Sequence, residues 1–539
     1  MKHILFTHLI VCAMIIPSLA GTKNVDQASD MAESEKSESQ SPAASNNGGT
    51  APQDLTPTPS QGREDSKRPF GMGLTVGAVT IDNQVYTQIG IMPEIVIGKF
   101  GMALDLRLYI DGDGNIRKED WDSFNDIIEK IYYVRWGLKG DPFYVRAGAI
   151  NNYRLGYGIL MNRYANTIEY PSVIRTGFQL GVDAGNLVAD VMMNDFKELG
   201  SKQGGLFAGR VGYRLLGKLE FGISTVYDRN QYAVLRDADK DGYADILDDF
   251  PTNSNFVVDS DGDGVPDGSD PDRDGDGYTD NPENPALFND FDFDSLKLKP
   301  RPFQIQNAEN RDQLAFAADI GYPFVQNKNF ELIVYAQAAK FAYNNGWGYS
   351  APGFLAKFAF INLYGEYRFQ EERFIHEYFS TTYELERVTF IQDTSGFLQP
   401  VTKRQYLEAI NTRMRGFVAG ADFNIADIMI FGAEYQRLSG SSASQSLKFN
   451  TFRATLDLNT DFVPKIHRAG AYYYQQNADE LFTKQEGTII GYTLQYEISP
   501  GAYLVLDYRQ TYRDVNGDGQ ISGSDETIKT TNLQTVFMF

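Results

Sequence analysis

"INLYGEYRFQ", residues 361–370, changes character at almost every step. Ile361, Leu363, Tyr367 and Phe369 fall on one side, and Asn362, Glu366, Arg368 and Gln370 on the other. A repeat of two belongs to an extended strand, whose successive side chains point to opposite faces. Large apolar groups on one face and charges on the other suit a wall between an apolar medium and a wet one.

Three further stretches repeat the pattern. In "GMALDLRLYI" (101–110), Met102, Leu104, Leu106, Leu108 and Ile110 oppose Asp105, Arg107 and Tyr109. In "GLFAGRVGYRLL" (205–216), Phe207, Val211, Tyr213 and Leu215 oppose Arg210 and Arg214. In "TIIGYTLQYE" (488–497), Ile490, Tyr492, Leu494 and Tyr496 oppose Thr493, Gln495 and Glu497. Soluble β-sandwiches alternate too, so the connections must discriminate.

Twenty candidate strands fit between residues 70 and 539. Links after even-numbered strands are six residues or fewer, such as "KGD" at 139–141 and Gly217; links after odd-numbered strands are mostly long, including 112–130, 152–171, 230–311, 371–412 and 512–527. Short turns on one rim and long loops on the other predict an all-β, antiparallel up-and-down transmembrane β-barrel of about 18–20 strands with long extracellular loops. The junction Phe360–Ile361 carries no turn residue. It reads either as a turn or as one continuous strand, in which case another strand must lie in 374–388. The stretch 151–171 is a candidate for folding inward as a constriction. The chain ends in "TTNLQTVFMF", with Leu533, Thr535, Phe537 and Phe539 on one face. This resembles the terminal strand of Gram-negative outer-membrane barrels, which implies outer-membrane lipid as a partner.

The start of the chain predicts export. Ile4–Ile16 is almost wholly apolar, and Ser18-Leu19-Ala20 ends in a small residue, as in a signal peptide spanning 1–20. Residues 21–69 are rich in Ser, Pro, Gln, Asn and Glu, a composition too polar to fold alone. Residues 70–539 form the barrel, interrupted by an acidic segment at 237–295. Cys12 is the single cysteine and lies inside the leader, so disulfides contribute nothing to the mature chain.

Aromatic residues make up 13% of the chain, with 32 Tyr and 36 Phe, which suits a lipid-facing wall with aromatic girdles. The formal charge of −22 is concentrated: residues 237–283 hold 15 Asp, one Glu, one Lys and one Arg, a net −14. No basic stripe stands out, so no nucleic-acid partner is expected.

Three consecutive units there share the spacing D-x-D-x-D-G-x-x-D-x-x-[D/E]. They are Asp237, Asp239, Asp241, Asp245 and Asp248; Asp259, Asp261, Asp263, Asp267 and Asp270; and Asp272, Asp274, Asp276, Asp280 and Glu283. Like charges about 4 Å apart repel by roughly 1 kcal/mol even in water, so a compact array needs a counter-ion. A calcium ion takes six to eight oxygens. Acids at positions 1, 3 and 5 converge on one only if the chain curls tightly, which the glycine at position 6 permits. The array resembles the thrombospondin type 3 repeat, and the resemblance implies that these acids bind Ca2+. A fourth candidate, "DVNGDGQISGSDE" (514–526), places Asp514, Asn516, Asp518, Gln520 and Asp525 at positions 1, 3, 5, 7 and 12; it resembles an EF-hand loop of the dockerin kind. A weaker fifth loop offers Asp111, Asp113 and Asp120, followed by a short helix-like stretch.

Catalysis is not expected. No Walker, Rossmann or HExxH motif occurs, and His376 and Ser380 in "FIHEYFS" resemble the Ser–His pair of lipid-cleaving barrels only in composition. Two functions remain. One is a porin-like channel or uptake pore for small solutes, with Arg107, Arg210, Arg214, Glu366, Arg368, Glu497 and Arg509 facing the lumen. The other is a surface structural or adhesion protein that meets an extracellular ligand through its acidic loop.

Overall fold

The computed structural model describes residues 70–539 except 82–83, 122–123, 201–203, 276–297, 310, 426–427, 444 and 460–462. Residues 1–69, which hold the expected leader and polar segment, lie outside the described residues, as do Asp276, Asp280 and Glu283.

The strands run in chain order around a single sheet. They begin with β1 (Phe70–Ile81), β2 (Gln84–Ile97), β3 (Phe100–Leu104), β4 (Leu106–Ile110), β5 (Ile131–Trp136) and β6 (Phe143–Gly148). Then come β7 (Gly177–Ala184), β8 (Leu187–Met193), β9 (Leu206–Leu215), β10 (Leu219–Asp228), β11 (Gln313–Gln326) and β12 (Phe330–Phe341). β13 (Trp347–Phe358) and β14 (Ile361–Gln370) are followed by a separate hairpin, β15 (Val388–Gln392) and β16 (Leu398–Thr402). The ring continues with β17 (Met414–Ile425), β18 (Met429–Ser441), β19 (Ser446–Asn459) and β20 (Ile466–Ala478). It ends with β21 (Thr488–Ser499), β22 (Ala502–Tyr512) and β23 (Thr527–Met538).

β3 and β4 both pair with β2 and are two halves of one stave, interrupted at Asp105, whose N–H turns to the Lys130 carbonyl. The ring therefore has twenty staves. It closes where β1 pairs antiparallel with β23, from Gly73↔Met538 to Val79↔Asn532. Closure joins the first stave to the last, while the half-stave β4 pairs on one side only, with β2. The expected all-β antiparallel barrel is the observed one, at the upper end of the expected strand count.

The unmarked junction at residue 360 is a turn. β13 and β14 pair from Phe358↔Ile361 onward, and Ala359 bends the chain at φ 46°. An alanine in the left-handed region carries no turn signature, which is why the sequence left both readings open.

Burial is inverted relative to a soluble protein. On β14, Arg368 and Gln370 are buried while Tyr367 is 38% exposed. Arg210 and Arg214 on β9 are buried, whereas Val211, Tyr213 and Leu215 are exposed; Ile223 on the neighbouring β10 is 71% exposed. Thr493 and Gln495 are buried between exposed Tyr492, Leu494 and Tyr496. The outer wall is apolar, and the inward faces of these strands are polar.

Candidate functional site

The loops on the long-loop rim build two features: a set of acidic curls and a plug inside the barrel. Three curls share one backbone scaffold. In each, the N–H of the position-6 glycine donates to the first acid: Gly242 to Asp237 (3.0 Å), Gly264 to Asp259 (2.9 Å) and Gly519 to Asp514 (2.7 Å). The position-5 N–H donates to the side chain at position 3, from Asp241 to Asp239, Asp263 to Asp261 and Asp518 to Asn516. The position-7 N–H donates to the acid at position 5, from Tyr243 to Asp241, Val265 to Asp263 and Gln520 to Asp518. The glycines adopt φ of 98°, 92° and 78°, a conformation costly for a residue with a Cβ.

The scaffold turns the acids toward one another. Asp237, Asp239 and Asp241 bring carboxylate oxygens within 4.8 Å of each other, as do Asp259, Asp261 and Asp263. The acids at position 9 serve as braces: Asp245 accepts from the Ala238 N–H and Asp267 from the Ser260 N–H, both at 2.7 Å. At position 12, Asp248 is buried and accepts from the Phe250 N–H, and Asp270 accepts from the Asp272 N–H. Burial, with the charges of Asp241 and Asp239 nearby, pushes the Asp248 carboxyl up to about 6. Of the third unit, Asp272 and Asp274 are described.

In the fourth curl the structure gathers Glu526, not Asp525, with Asp514 and Asp518. Asp525 is exposed. The count of twelve that suits an EF-hand fails because the chain turns at Ser522–Gly523, whose N–H groups hold Glu526 at 2.7 and 2.8 Å. Gln520 is likewise exposed and uses its N–H within the curl. Asp111, Asp113 and Asp120 form no such group among the described residues; Asp120 pairs with Arg117 at 3.0 Å. Helices at Lys118–Asp120 and Phe124–Glu129 match the expected short helical stretch.

A hairpin that sequence reading missed ties two curls together. Val388 and Phe390 of β15 pack with Tyr232, Leu235, Ala244 and Ile305, which flank the first curl. The other side of β15 meets the fourth curl: Gln392 donates through its backbone to the Gly517 carbonyl (3.0 Å) and through Nε2 to the Asn516 carbonyl (2.9 Å). "RVTFIQ" and "LQPVT" do alternate, but they are too short to stand out among the barrel strands.

The plug is built by two inward segments that hold each other. Phe379 N–H donates to the Leu160 carbonyl (3.0 Å), and Glu377 N–H to the Ile159 carbonyl (2.8 Å). Ile159, Leu160, Met161, Phe374, Tyr378 and Phe379 form one buried cluster with the inward residues Leu206, Val226, Ala315 and Phe341. The segment 151–171 thus folds inward as its composition suggested. Tyr157 stacks on Tyr335 of β12 (4.1 Å), and its hydroxyl occupies the space a Cβ on Gly321 would fill. Bare backbone at that glycine lets the loop reach the wall.

The expected lumen arginines all have partners. Arg210 pairs with Asp319 (2.6 Å) and Glu220 (2.8 Å), Arg214 with Asp183 (2.8 Å), and Arg107 with Asp105 (2.7 Å). Arg368 bridges Glu366 (2.6 Å) and Glu377 (2.5 Å), joining wall to plug. Arg509 donates to the carbonyls of Thr167 and Tyr170, and Glu497 is half-buried. Arg163, on the plug, forks onto Glu434 of β18 at 3.0 and 2.6 Å. That contact was missed, since nothing in the sequence pairs residues so far apart. His376 Nδ1 lies 3.3 Å from Gln370 Oε1, and Ser380 Oγ lies 3.2 Å from Thr382 Oγ1.

No family model matches the chain, and no curated protein matches it. Among solved structures, it is similar to Wzi from Escherichia coli, an outer-membrane protein involved in group 1 capsule assembly and described as a carbohydrate-binding β-barrel. The identity is 7% and the TM-score 0.34, over 88% of this chain and 85% of that one. It is also similar to the outer membrane protein OprD from Pseudomonas aeruginosa, at 8% identity and TM-score 0.31 over 91% and 98% of the two chains. The siderophore receptor PirA from Acinetobacter baumannii gives 9%, 0.34, 88% and 81%. Likenesses this distant carry no argument about this chain, whose barrel rests on its own strand pairing.

Proposed function

We propose that the chain is an outer-membrane, porin-like barrel of narrow bore, with a mouth braced by calcium. The inverted burial carries this reading. A ring that exposes Ile223, Val211 and Tyr492 while burying Arg210, Arg368 and Thr493 loses free energy in water and gains it in lipid. The wet interior, lined by paired arginines and carboxylates, favours small solutes over an apolar cargo. The plug limits them further: the gap bounded by Arg154, Tyr157, Glu366, Arg368 and Glu434 is about 20 Å³, room for roughly one water.

The shared scaffold of three curls supports the calcium part. Each converges oxygens and no nitrogen or sulfur, the donor set of a hard cation. The ions' role is to stiffen loops held apart by like charge.

Single-channel recording in planar bilayers tests the transport reading. The wild type should give a small unit conductance, and Arg163→Ala, which releases the plug from Glu434, a larger one. A protein that stays dissolved without detergent overturns the membrane assignment. Silence from both proteins favours a surface structural role, with the barrel as anchor.

A further inference from the structure

Glu526 stands at the foot of the last loop, one residue before β23 begins at Thr527, and is 0% exposed. Its Oε2 accepts from the Ser522 and Gly523 N–H groups. Its Oε1 is buried with no hydrogen-bond partner. An anionic oxygen sealed from water without a partner is costly, and a cation is the partner that removes the cost. The carboxylates of Asp514 and Asp518 lie within 4.8 Å of that of Glu526.

Asp525 is exposed instead, and its Oδ1 lies over Gly523, in the space a Cβ there would occupy. The two acids sit in a turn closed by the Thr527 N–H on the Ser524 carbonyl (3.3 Å), and of the two only Glu526 brings a carboxylate oxygen to those of Asp514 and Asp518.

We infer that Glu526, rather than Asp525, closes a calcium site with Asp514, Asn516 and Asp518, and that the ion thereby fastens the loop to the residue that leads into the final stave. This rests on the calcium reading above and goes beyond it in the closing ligand. Three carboxylates and an amide oxygen on a flexible glycine curl suit calcium's irregular shell better than the rigid octahedron of magnesium. The ring is held from outside as well. A Cβ on Gly517 would collide with the Ile391–Gln392 peptide of the hairpin, so the curl sits flush against β15.

Hydrogen–deuterium exchange of the folded, full-length protein in detergent tests the site, because the peptide covering 513–526 reports this loop alone. Calcium should protect that peptide in the wild type, and the protecting concentration gives the local affinity. Glu526→Gln should raise that concentration at least about tenfold, and Asp525→Asn less than about twofold. The reverse order, or equal shifts, overturns the assignment of Glu526. Wild-type exchange unmoved by calcium up to about 10 mM, above the affinity of extracellular modules, defeats the calcium reading for this loop instead. Should Glu526→Gln fail to fold, as unprotected β22 and β23 peptides would reveal, Glu526→Asp keeps the charge and withdraws the oxygen by one methylene. It must still weaken binding at least about threefold, or the inference falls.

Discussion

The lumen and the mouth both gather carboxylates, and they treat them in opposite ways. Inside the barrel many acids meet a guanidinium: Asp319 and Glu220 share Arg210, Glu366 and Glu377 share Arg368, and Glu434 holds Arg163. At the mouth acids face acids, and backbone N–H groups are their main partners. The interior is electrically self-contained, so the barrel and plug assemble from what the chain itself supplies. At the mouth the proposed calcium would supply the positive charge that the chain does not.

This contrast can be broken at its strongest point by Arg387→Ala. Arg387 is fully buried between Asp228 (2.9 Å) and Glu384 (3.0 Å), and its loss strands two buried carboxylates. Denaturant unfolding in detergent should show about 3–5 kcal/mol of destabilisation, with or without calcium. Removing calcium should act only on the mouth. A chelator should accelerate protease cleavage within 237–275 and 513–526 about tenfold or more and leave the strands intact. At free calcium about 100 times the dissociation constant, each ion lost takes about 2.7 kcal/mol from its loop. Equal responses from strands and loops would erase the distinction.

Asp195 is a third case, a lone buried acid whose partners are backbone amides: Lys197 N–H at 3.1 Å and Thr176 N–H at 3.4 Å. Burial pushes its carboxyl up to about 7. A folded pKa above the unfolded value of about 3.9 means that its contribution is fully present below about pH 4, is lost as pH rises to about 7, and is level beyond. The slope is at most about 1.4 kcal/mol per pH unit, and Asp195→Asn should flatten it. Exchange of the Lys197 and Thr176 amides between pH 4 and pH 8 reads the effect. The smallest change belongs to the opposite rim, where Lys99 and Asp141 form an exposed pair at 3.5 Å. Lys99→Ala should stay within about 0.5 kcal/mol by the same unfolding measurement.

The wall was readable because its signal is local. Arg210 and Val211 declare their faces by adjacency, and the turn at Gly217 follows from short-range chemistry. The curls were readable for the same reason, since a position-6 glycine and its acids lie within six residues. The plug was readable only as a suspicion about 151–171. Its partners sit hundreds of residues away, as with Arg163 and Glu434, and strand periodicity says nothing of loop destinations. Asp525 stays outside the last acidic group because a motif counts residues along the chain, whereas the turn at Ser522–Gly523 brings Glu526 to Asp514 and Asp518.

What the amino-acid sequence determined alone is the barrel and the glycine curls that turn acids toward one another. Both follow from alternation and from glycine placement, which act between near neighbours. What only the tertiary structure decided is where the long loops go, how the arginines and acids are matched, and which acid shuts the last curl. Those choices depend on closing the ring, which sets distant strands side by side and gives each loop a wall to meet.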